Sequence, residues 1–248
     1  MTPILEVCLS NATDAITAAA GGALRVELCA NLAAGGVTPS CGEIAVTRHS
    51  IAIGLQVLIR PREGDFVYSS LEVDAMVRDI EACRTLGCDG VVIGALTRDG
   101  SLDEPAMRRM IESAGDLSIT CHRAFDSTPD PFATLEQLAD WGVHHVLTSG
   151  QAPSARAGAS TLRDLQARAG DRLIVLAGGS VSVDDVSFLL GETGLRELHV
   201  GSSVTESRES STDSKSPGLG PAGAIEVGRP GSVSEAKVRR FVEAMASV

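Results

Sequence analysis

Residues 24–29 form the stretch Leu24-Arg25-Val26-Glu27-Leu28-Cys29, in which apolar residues alternate with ionisable ones. Alternation with a period of two is typical of a β-strand, because successive side chains point to opposite faces. The apolar positions are predicted to face outward onto helices, and Arg25, Glu27 and Cys29 to face inward. Because a buried charge is costly unless it is paired, the inward side must hold other polar groups. The stretch therefore predicts a sheet closed around a partly polar interior.

The same pattern occurs in other strand-like runs of the chain. These runs are Ile4-Leu5-Glu6-Val7-Cys8, Gln56-Val57-Leu58-Ile59-Arg60, Ser118-Ile119-Thr120-Cys121-His122 and Glu197-Leu198-His199-Val200. Alternation turns Cys121 outward. It turns a larger set of side chains inward, namely Glu6, Cys8, Arg60, His122, Glu197 and His199.

A unit of strand, turn and helix repeats eight times along the sequence. Strands are predicted to begin near residues 3, 24, 54, 90, 118, 144, 173 and 196. Helices are predicted over residues 11–20, 40–49, 70–86, 103–114, 130–141, 158–168, 182–191 and 233–247. Eight such units in 248 residues indicate a single-domain (β/α)8 TIM barrel over residues 1–248. A doubly wound open sheet is the alternative, although no GxGxxG follows the first strand.

Composition limits the possible partners and location. Hydrophobic residues make up 44% of the chain and the formal net charge is −11. Without a Lys/Arg cluster, neither a nucleic acid nor an anionic membrane surface is expected as a partner. No apolar run reaches 18 residues, and the N-terminal residues do not resemble a signal peptide, so a cytoplasmic protein is predicted. In that compartment the six cysteines are expected to be thiols. A Ser/Gly/Pro-rich loop is predicted at 201–232.

Four inward residues lie near the C-terminal ends of their strands, where barrels bind ligands. They are the candidate catalytic residues of a cluster at the barrel mouth: Glu6, Glu27, Arg60 and His122. We expect them to be mutually paired and partly open to solvent. Glu6 and Glu27 with His122 could also hold a divalent metal ion. The alternative is a buried salt-bridge network that only fixes the barrel, which applies most to Arg25 and Glu197.

Two glycine-rich turns follow the last two strands. They are Gly178-Gly179-Ser180 and Gly201-Ser202-Ser203. Backbone N–H groups of these two loops often bind phosphate in barrels, so Gly178, Gly179 and Ser202 are candidate anion-binding residues. Simple tight turns are the alternative.

Five motifs, in order, resemble those of the CutC family, which is named for copper homeostasis. They are Arg25-Val26-Glu27-Leu28-Cys29, Gly35-Gly36-Val37-Thr38-Pro39-Ser40, Ile59-Arg60-Pro61-Arg62-Glu63-Gly64-Asp65-Phe66, His122-Arg123-Ala124-Phe125-Asp126 and Leu147-Thr148-Ser149-Gly150. The resemblance runs from residue 4 to about residue 203. It implies a cytosolic TIM barrel that forms homo-oligomers.

The resemblance also implies copper handling, with Cys8 and Cys29 matching proposed Cu(I) ligands of the family. Soft thiolates suit Cu(I). The alternative is a barrel enzyme for a small anionic or phosphorylated substrate. In that case Arg60, Arg62 and Arg123 would bind the anion, and Glu27 or His122 would move a proton. Further candidate ligand-binding residues in these motifs are Asp126 and Thr148.

Overall fold

The computed structural model describes residues 3–206 and 231–248, and its centre is a closed barrel of eight parallel strands. Each strand pairs with the next along the chain, and β1 pairs with β8. This last pairing confirms the (β/α)8 barrel and shows that the open-sheet alternative was wrong. The strands are β1 (Ile4–Leu9), β2 (Arg25–Leu28), β3 (Gly54–Leu58), β4 (Gly90–Ile93), β5 (Ser118–Cys121), β6 (His145–Thr148), β7 (Ile174–Ala177) and β8 (Glu197–Val200).

Eight α-helices surround the barrel within the described residues. They are α1 (Ala12–Ala20), α2 (Cys41–Ser50), α3 (Ser70–Thr85), α4 (Glu104–Ala114), α5 (Pro131–Asp140), α6 (Ala159–Ala169), α7 (Val186–Thr193) and α8 (Glu235–Ala246). Local signals start them, as at α3, where Ser69 and Glu72 form a capping box. Ser182 forms a similar box, but a 3-10 turn (Val183–Asp185) separates it from α7.

Side chains pack in two layers separated by the sheet. Outward residues such as Val26, Leu28 and Val57 are fully buried against the helices. Cys121 also faces this outer core. A smaller apolar group inside the barrel contains Cys29, Leu58 and Val92, with Cys8 packed against it.

Strand register sets the height of the inward side chains. Glu6 lies beside both Arg25 of β2 and His199 of β8, and Cys8 lies beside Glu27. Side chains at paired positions of neighbouring strands share a face. The interior therefore has a lower layer at the level of Glu6 and an upper layer at the level of Cys8.

A two-stranded antiparallel sheet links the end of the barrel to the last helix. It consists of β9 (Thr205–Glu206) and β10 (Ser232–Val233). The backbone N–H of Val233 donates to Asp14 of α1 over 3.1 Å. Most of the predicted 201–232 loop, residues 207–230, lies outside the described residues. No helix in the described part of the chain could cross a membrane.

Candidate functional site

The lower layer of the barrel interior is an ion-pair network. The guanidinium of Arg25 donates to the carboxylates of Glu6 and Glu197, and all three residues are buried. His199 bonds Glu6 through Nδ1 at 2.7 Å. Burial alone would raise the pKa of Glu6, but Arg25 and His199 outweigh it and lower that pKa to about 2. Glu6 is therefore an ionised carboxylate that bonds Arg25 and His199 below the site.

Above this network lies a group of four residues, Cys8, Glu27, Cys29 and His199, which we call the thiol centre. The Sγ atoms of Cys8 and Cys29 are 3.7 Å apart. One possible ligand atom from each of Cys8, Glu27 and His199 lies within 4.8 Å of the others. Nε2 of His199 is 3.7 Å from the carboxylate of Glu27. The strands thus bring two thiols, a carboxylate and an imidazole together.

The thiol centre shifts the pKa values of its own members. The hydrogen bond from Cys29 lowers the pKa of Cys8 to about 5, although burial opposes it, and His199 adds to the effect. The same Cys29–Cys8 bond raises the pKa of Cys29 well above its usual value. Burial disfavours the charged form of His199, yet its bonds to Cys8 and Glu6 raise its pKa well above 6.5. Burial, and then the charge of Cys8, raise the pKa of Glu27. The arrangement favours a Cys8 thiolate beside a His199 imidazolium.

A cavity of about 310 Å³ opens over the thiol centre. Its lining includes Arg60, His122 and Arg123 on strand ends or just beyond them, and apolar residues around these. The apolar part consists of Leu32, Leu58, Phe66 and Leu147. This volume falls at the small end of the range for ligand pockets.

Arg60 and His122 flank the ring of Phe66. The ring centroids of His122 and Phe66 are 4.8 Å apart, and the guanidinium carbon of Arg60 is 5.1 Å from the Phe66 centroid. Arg60 donates to the backbone carbonyls of Ala34, Gly36 and Gly64. Among the described residues it has no carboxylate partner.

Arg123 is held at the rim by a hydrogen-bonded cluster. Its Nε donates to Asp126 at 2.7 Å and its Nη2 to Ser149 at 3.0 Å. Asp126 also accepts from the hydroxyl of Thr148. The predicted ligand-binding residues Asp126 and Thr148 therefore orient Arg123 and do not line the cavity themselves.

Two expectations about the site need correction. Arg62 is outside the cavity, because its nitrogens bond Asp65, Glu72 and carbonyls of its own loop. The four mouth residues are neither mutually paired nor partly open to solvent. All four are buried, and Glu6 lies one layer below Glu27 and bonds Arg25 instead. For the same reason, the described residues do not group Glu6, Glu27 and His122 around a metal. The metal-competent group contains Cys8 and His199 with Glu27.

The glycine-rich turns are explained mainly by packing. A Cβ at Gly178 would lie 2.5 Å from Leu147 and 3.3 Å from His199. Gly179 has a φ of +103°, and its Cβ would meet Ser149 at 3.0 Å and Arg123 at 3.4 Å. Ser202 begins a 3-10 turn after β8. Neither turn lines the cavity, so anion binding by their backbone stays a prediction.

Three residues of the site were not among the candidate site residues predicted from the sequence. Alternation places His199 inside the barrel, but its contacts with Glu6 and Glu27 depend on strand register and are revealed only by the structure. Phe66 and Ser149 belong to recognised motifs but carry no charge, so only the structure reveals their contacts with His122 and Arg123.

The fold and the site together define a class: a (β/α)8 barrel with a thiol-containing cavity at the C-terminal mouth. The sequence profile of the CutC family matches residues 3–204. The chain belongs to the CutC family.

Individual relatives agree with this assignment. A family protein CutC from Parabacteroides distasonis is 47% identical over 200 residues, covering 80% of this chain and 82% of that protein. One from Chromobacterium violaceum is 42% identical over 245 residues and covers 99% of both chains. A solved structure from Streptococcus agalactiae, described as a copper homeostasis protein CutC, has a TM-score of 0.77 at 32% identity. The match covers 81% of this chain and 98% of the Streptococcus agalactiae chain.

Proposed function

We propose that this chain is a cytoplasmic copper homeostasis protein that binds Cu(I) through Cys8 and Cys29. The observation that carries the proposal is the 3.7 Å separation of the two Sγ atoms. Metal–thiolate bonds of about 2.3 Å on each side can span that separation, so one ion fits between the sulfur atoms. The name of the Streptococcus agalactiae relative supports the same role.

The chemistry of the donor set favours Cu(I) over harder cations. Two thiols form a soft pair, and soft sulfur ligands select Cu(I). The hydrogen bond from Cys29 lowers the pKa of Cys8 and so favours its thiolate. The thiolate is the form of cysteine that binds metals. His199 and Glu27 would complete the coordination once each has released its proton, because only deprotonated groups bind a metal ion. All six cysteines are free thiols, which suits a reducing cytoplasm.

Competition with a Cu(I) chelator under anaerobic, reducing conditions tests this proposal. The parent should bind one Cu(I) per chain, and the double variant Cys8→Ser/Cys29→Ser should lose that binding. The matched control is Cys83→Ser/Cys88→Ser, because both control residues belong to the outer core. Unchanged affinity in the first variant, or equal loss in the second, would end the thiolate hypothesis.

A second candidate function is an enzyme acting on a small anion at the same mouth. The observation favouring it is the cavity, which is much larger than one ion and carries Arg60, His122 and Arg123 on its wall. Copper binding at the thiol centre makes no use of these three residues.

A further inference from the structure

The cavity has a second polar surface besides the thiol centre. Arg60, His122 and Arg123 line it, and we call these three residues the donor wall. Their side chains can each donate hydrogen bonds, and an arginine has no acceptor at all. The charge of Arg123 is balanced by Asp126. The other two members are less fully satisfied.

The protonation of His122 follows from one hydrogen bond. The backbone N–H of Ala124 donates to Nδ1 of His122 at 3.1 Å. Nδ1 is therefore the acceptor nitrogen, and the neutral ring carries its proton on Nε2. Nε2 is buried and has no partner among the described residues. Burial, assisted by the charge of Arg60, lowers the pKa of His122 to about 3, so the ring remains a neutral donor.

Arg60 also has a buried nitrogen without a hydrogen-bond partner in the described residues, and its side chain carries a positive charge. Its two terminal nitrogens bond backbone carbonyls, but its buried Nε has no partner within the described part of the chain. Arg60 is only 7% exposed, and no described carboxylate forms an ion pair with it. A buried cation without a counter-ion is unfavourable, and an anionic ligand would relieve it.

Phe66 packs beside both donors. Its ring packs against the imidazole of His122 and the guanidinium of Arg60. Its backbone is fixed, because its carbonyl accepts from the N–H of Leu96 at 2.8 Å. The three side chains therefore form one continuous part of the cavity lining, and a ligand bound there contacts all of them.

We propose that the donor wall binds the oxygen atoms of a small organic oxyanion in this cavity, beside the ring of Phe66. The apolar residues Leu32, Leu58 and Leu147 on the same cavity would contact the organic part of the ligand. The oxyanion is a carboxylate or a phosphate monoester, since both present the same acceptor oxygens. This assignment deepens the second candidate function, because it names the ligand class of that cavity.

The test is thermal unfolding of the metal-free protein with butyrate, butyl phosphate or chloride at equal ionic strength. At least one of the two organic anions should raise the melting temperature with saturation, because a ligand bound only to the folded state stabilises it. The anion that does so identifies the headgroup. A rise with chloride of the same size, or no rise with either organic anion, would overturn the proposal.

Three variants locate the binding. Arg60→Met should weaken binding of the organic anion that raises the melting temperature by about tenfold or more. A loss of that size is expected when a charged hydrogen-bonding partner is removed. His122→Asn keeps an acceptor for Ala124 and removes the Nε2 donor, so it should also weaken binding. Arg62→Met is the matched control, because Arg62 lies outside the cavity, and it should bind like the parent.

Two further results test where the anion binds and whether it is a substrate. Cys83→Ser/Cys88→Ser should retain the anion effect, because both residues lie in the outer core and not in the cavity lining. Loss of the effect in that variant, or equal loss in Arg62→Met, would refute the donor wall. If the anion binds but no substrate is turned over, the donor wall is supported as a binding site. The second candidate function, an enzyme, is then weakened.

Discussion

Arg25 and Arg60 are both buried arginines of the barrel, but they differ in what surrounds them. Arg25 bonds the carboxylates of Glu6 and Glu197. Arg60 follows β3, bonds backbone carbonyls of Ala34, Gly36 and Gly64, and lines the cavity. Removing one partner of a buried ion pair leaves the other charge uncompensated, whereas removing Arg60 leaves no described carboxylate unpaired.

Arg25→Met should therefore lower the free energy of unfolding by about 3–5 kcal/mol. Arg60→Met should cost only about 1–2 kcal/mol, from the hydrogen bonds to carbonyls. Urea unfolding of both variants measures the difference directly. Equal losses would mean that Arg60 is part of the structural network rather than of a ligand site.

His122 should make the fold sensitive to acid. Its pKa is lowered from 6.5 to about 3, so the unfolded chain takes up a proton that the folded protein excludes. The resulting stabilisation is complete above pH 6.5 and is lost as the pH falls towards 3. Between pH 7 and pH 5 the loss from His122 is about 2 kcal/mol.

Urea unfolding of the parent and of His122→Asn at pH 7 and pH 5 isolates this contribution. The variant should lose about 2 kcal/mol less than the parent over that interval. His145 also has a lowered pKa, but it is present in both proteins and cancels in the comparison. Identical acid sensitivity of the two proteins would contradict a buried neutral His122.

At the residue scale, sequence alternation predicts which side chains point inward but not which of them pair. Glu6 and Glu27 both follow the period of two on neighbouring strands. Their heights differ because the register aligns Glu6 with Arg25, and Cys8 with Glu27. Pairing depends on the register between neighbouring strands, which cannot be read from the sequence of one strand.

At the scale of elements, β4 contains a glycine that the barrel interior requires. A Cβ at Gly90 would lie 2.0 Å from Oε1 of Gln56 and 2.5 Å from the backbone oxygen of Ser118. Gly90→Ala should lower the free energy of unfolding by about 1–3 kcal/mol, since overpacking forces neighbouring groups to shift. Thermal or urea unfolding would measure this.

Gly191→Ala provides the matched control. Gly191 lies in α7 with nothing within 4 Å of its Cβ position. The change should stabilise the protein by about 0.5–1 kcal/mol, because alanine loses less backbone entropy in a helix. Stabilisation by both changes would show that the interior at β4 is looser than the structure indicates.

The elements themselves were largely predictable, because their signals are local. Asp103 with Pro105 marks the start of α4, and Ser40 caps α2 as expected. The predicted helix over 182–191 begins instead with a 3-10 turn at Val183–Asp185, and the α-helix starts only at Val186. Boundaries therefore shifted by a few residues while the order of elements held.

At the scale of the whole molecule, barrel closure creates the site. The pairing of β8 with β1 brings His199 to Glu6 and to Cys8, although more than 190 residues separate His199 from either along the chain. The sequence predicts this convergence once eight repeated units are recognised. It does not predict the loop contacts that turn Arg62 away from the cavity and hold Arg123 over it.

Copper-edge X-ray absorption of the protein loaded with one Cu(I) per chain shows whether Cys8 and Cys29 bind the ion. The fine structure should contain two sulfur neighbours around copper, contributed by Cys8 and Cys29. They should be absent in Cys8→Ser/Cys29→Ser and unchanged in Cys83→Ser/Cys88→Ser. A copper shell of nitrogen and oxygen alone, or sulfur neighbours that persist without Cys8 and Cys29, would rule out Cu(I) binding by these two thiolates.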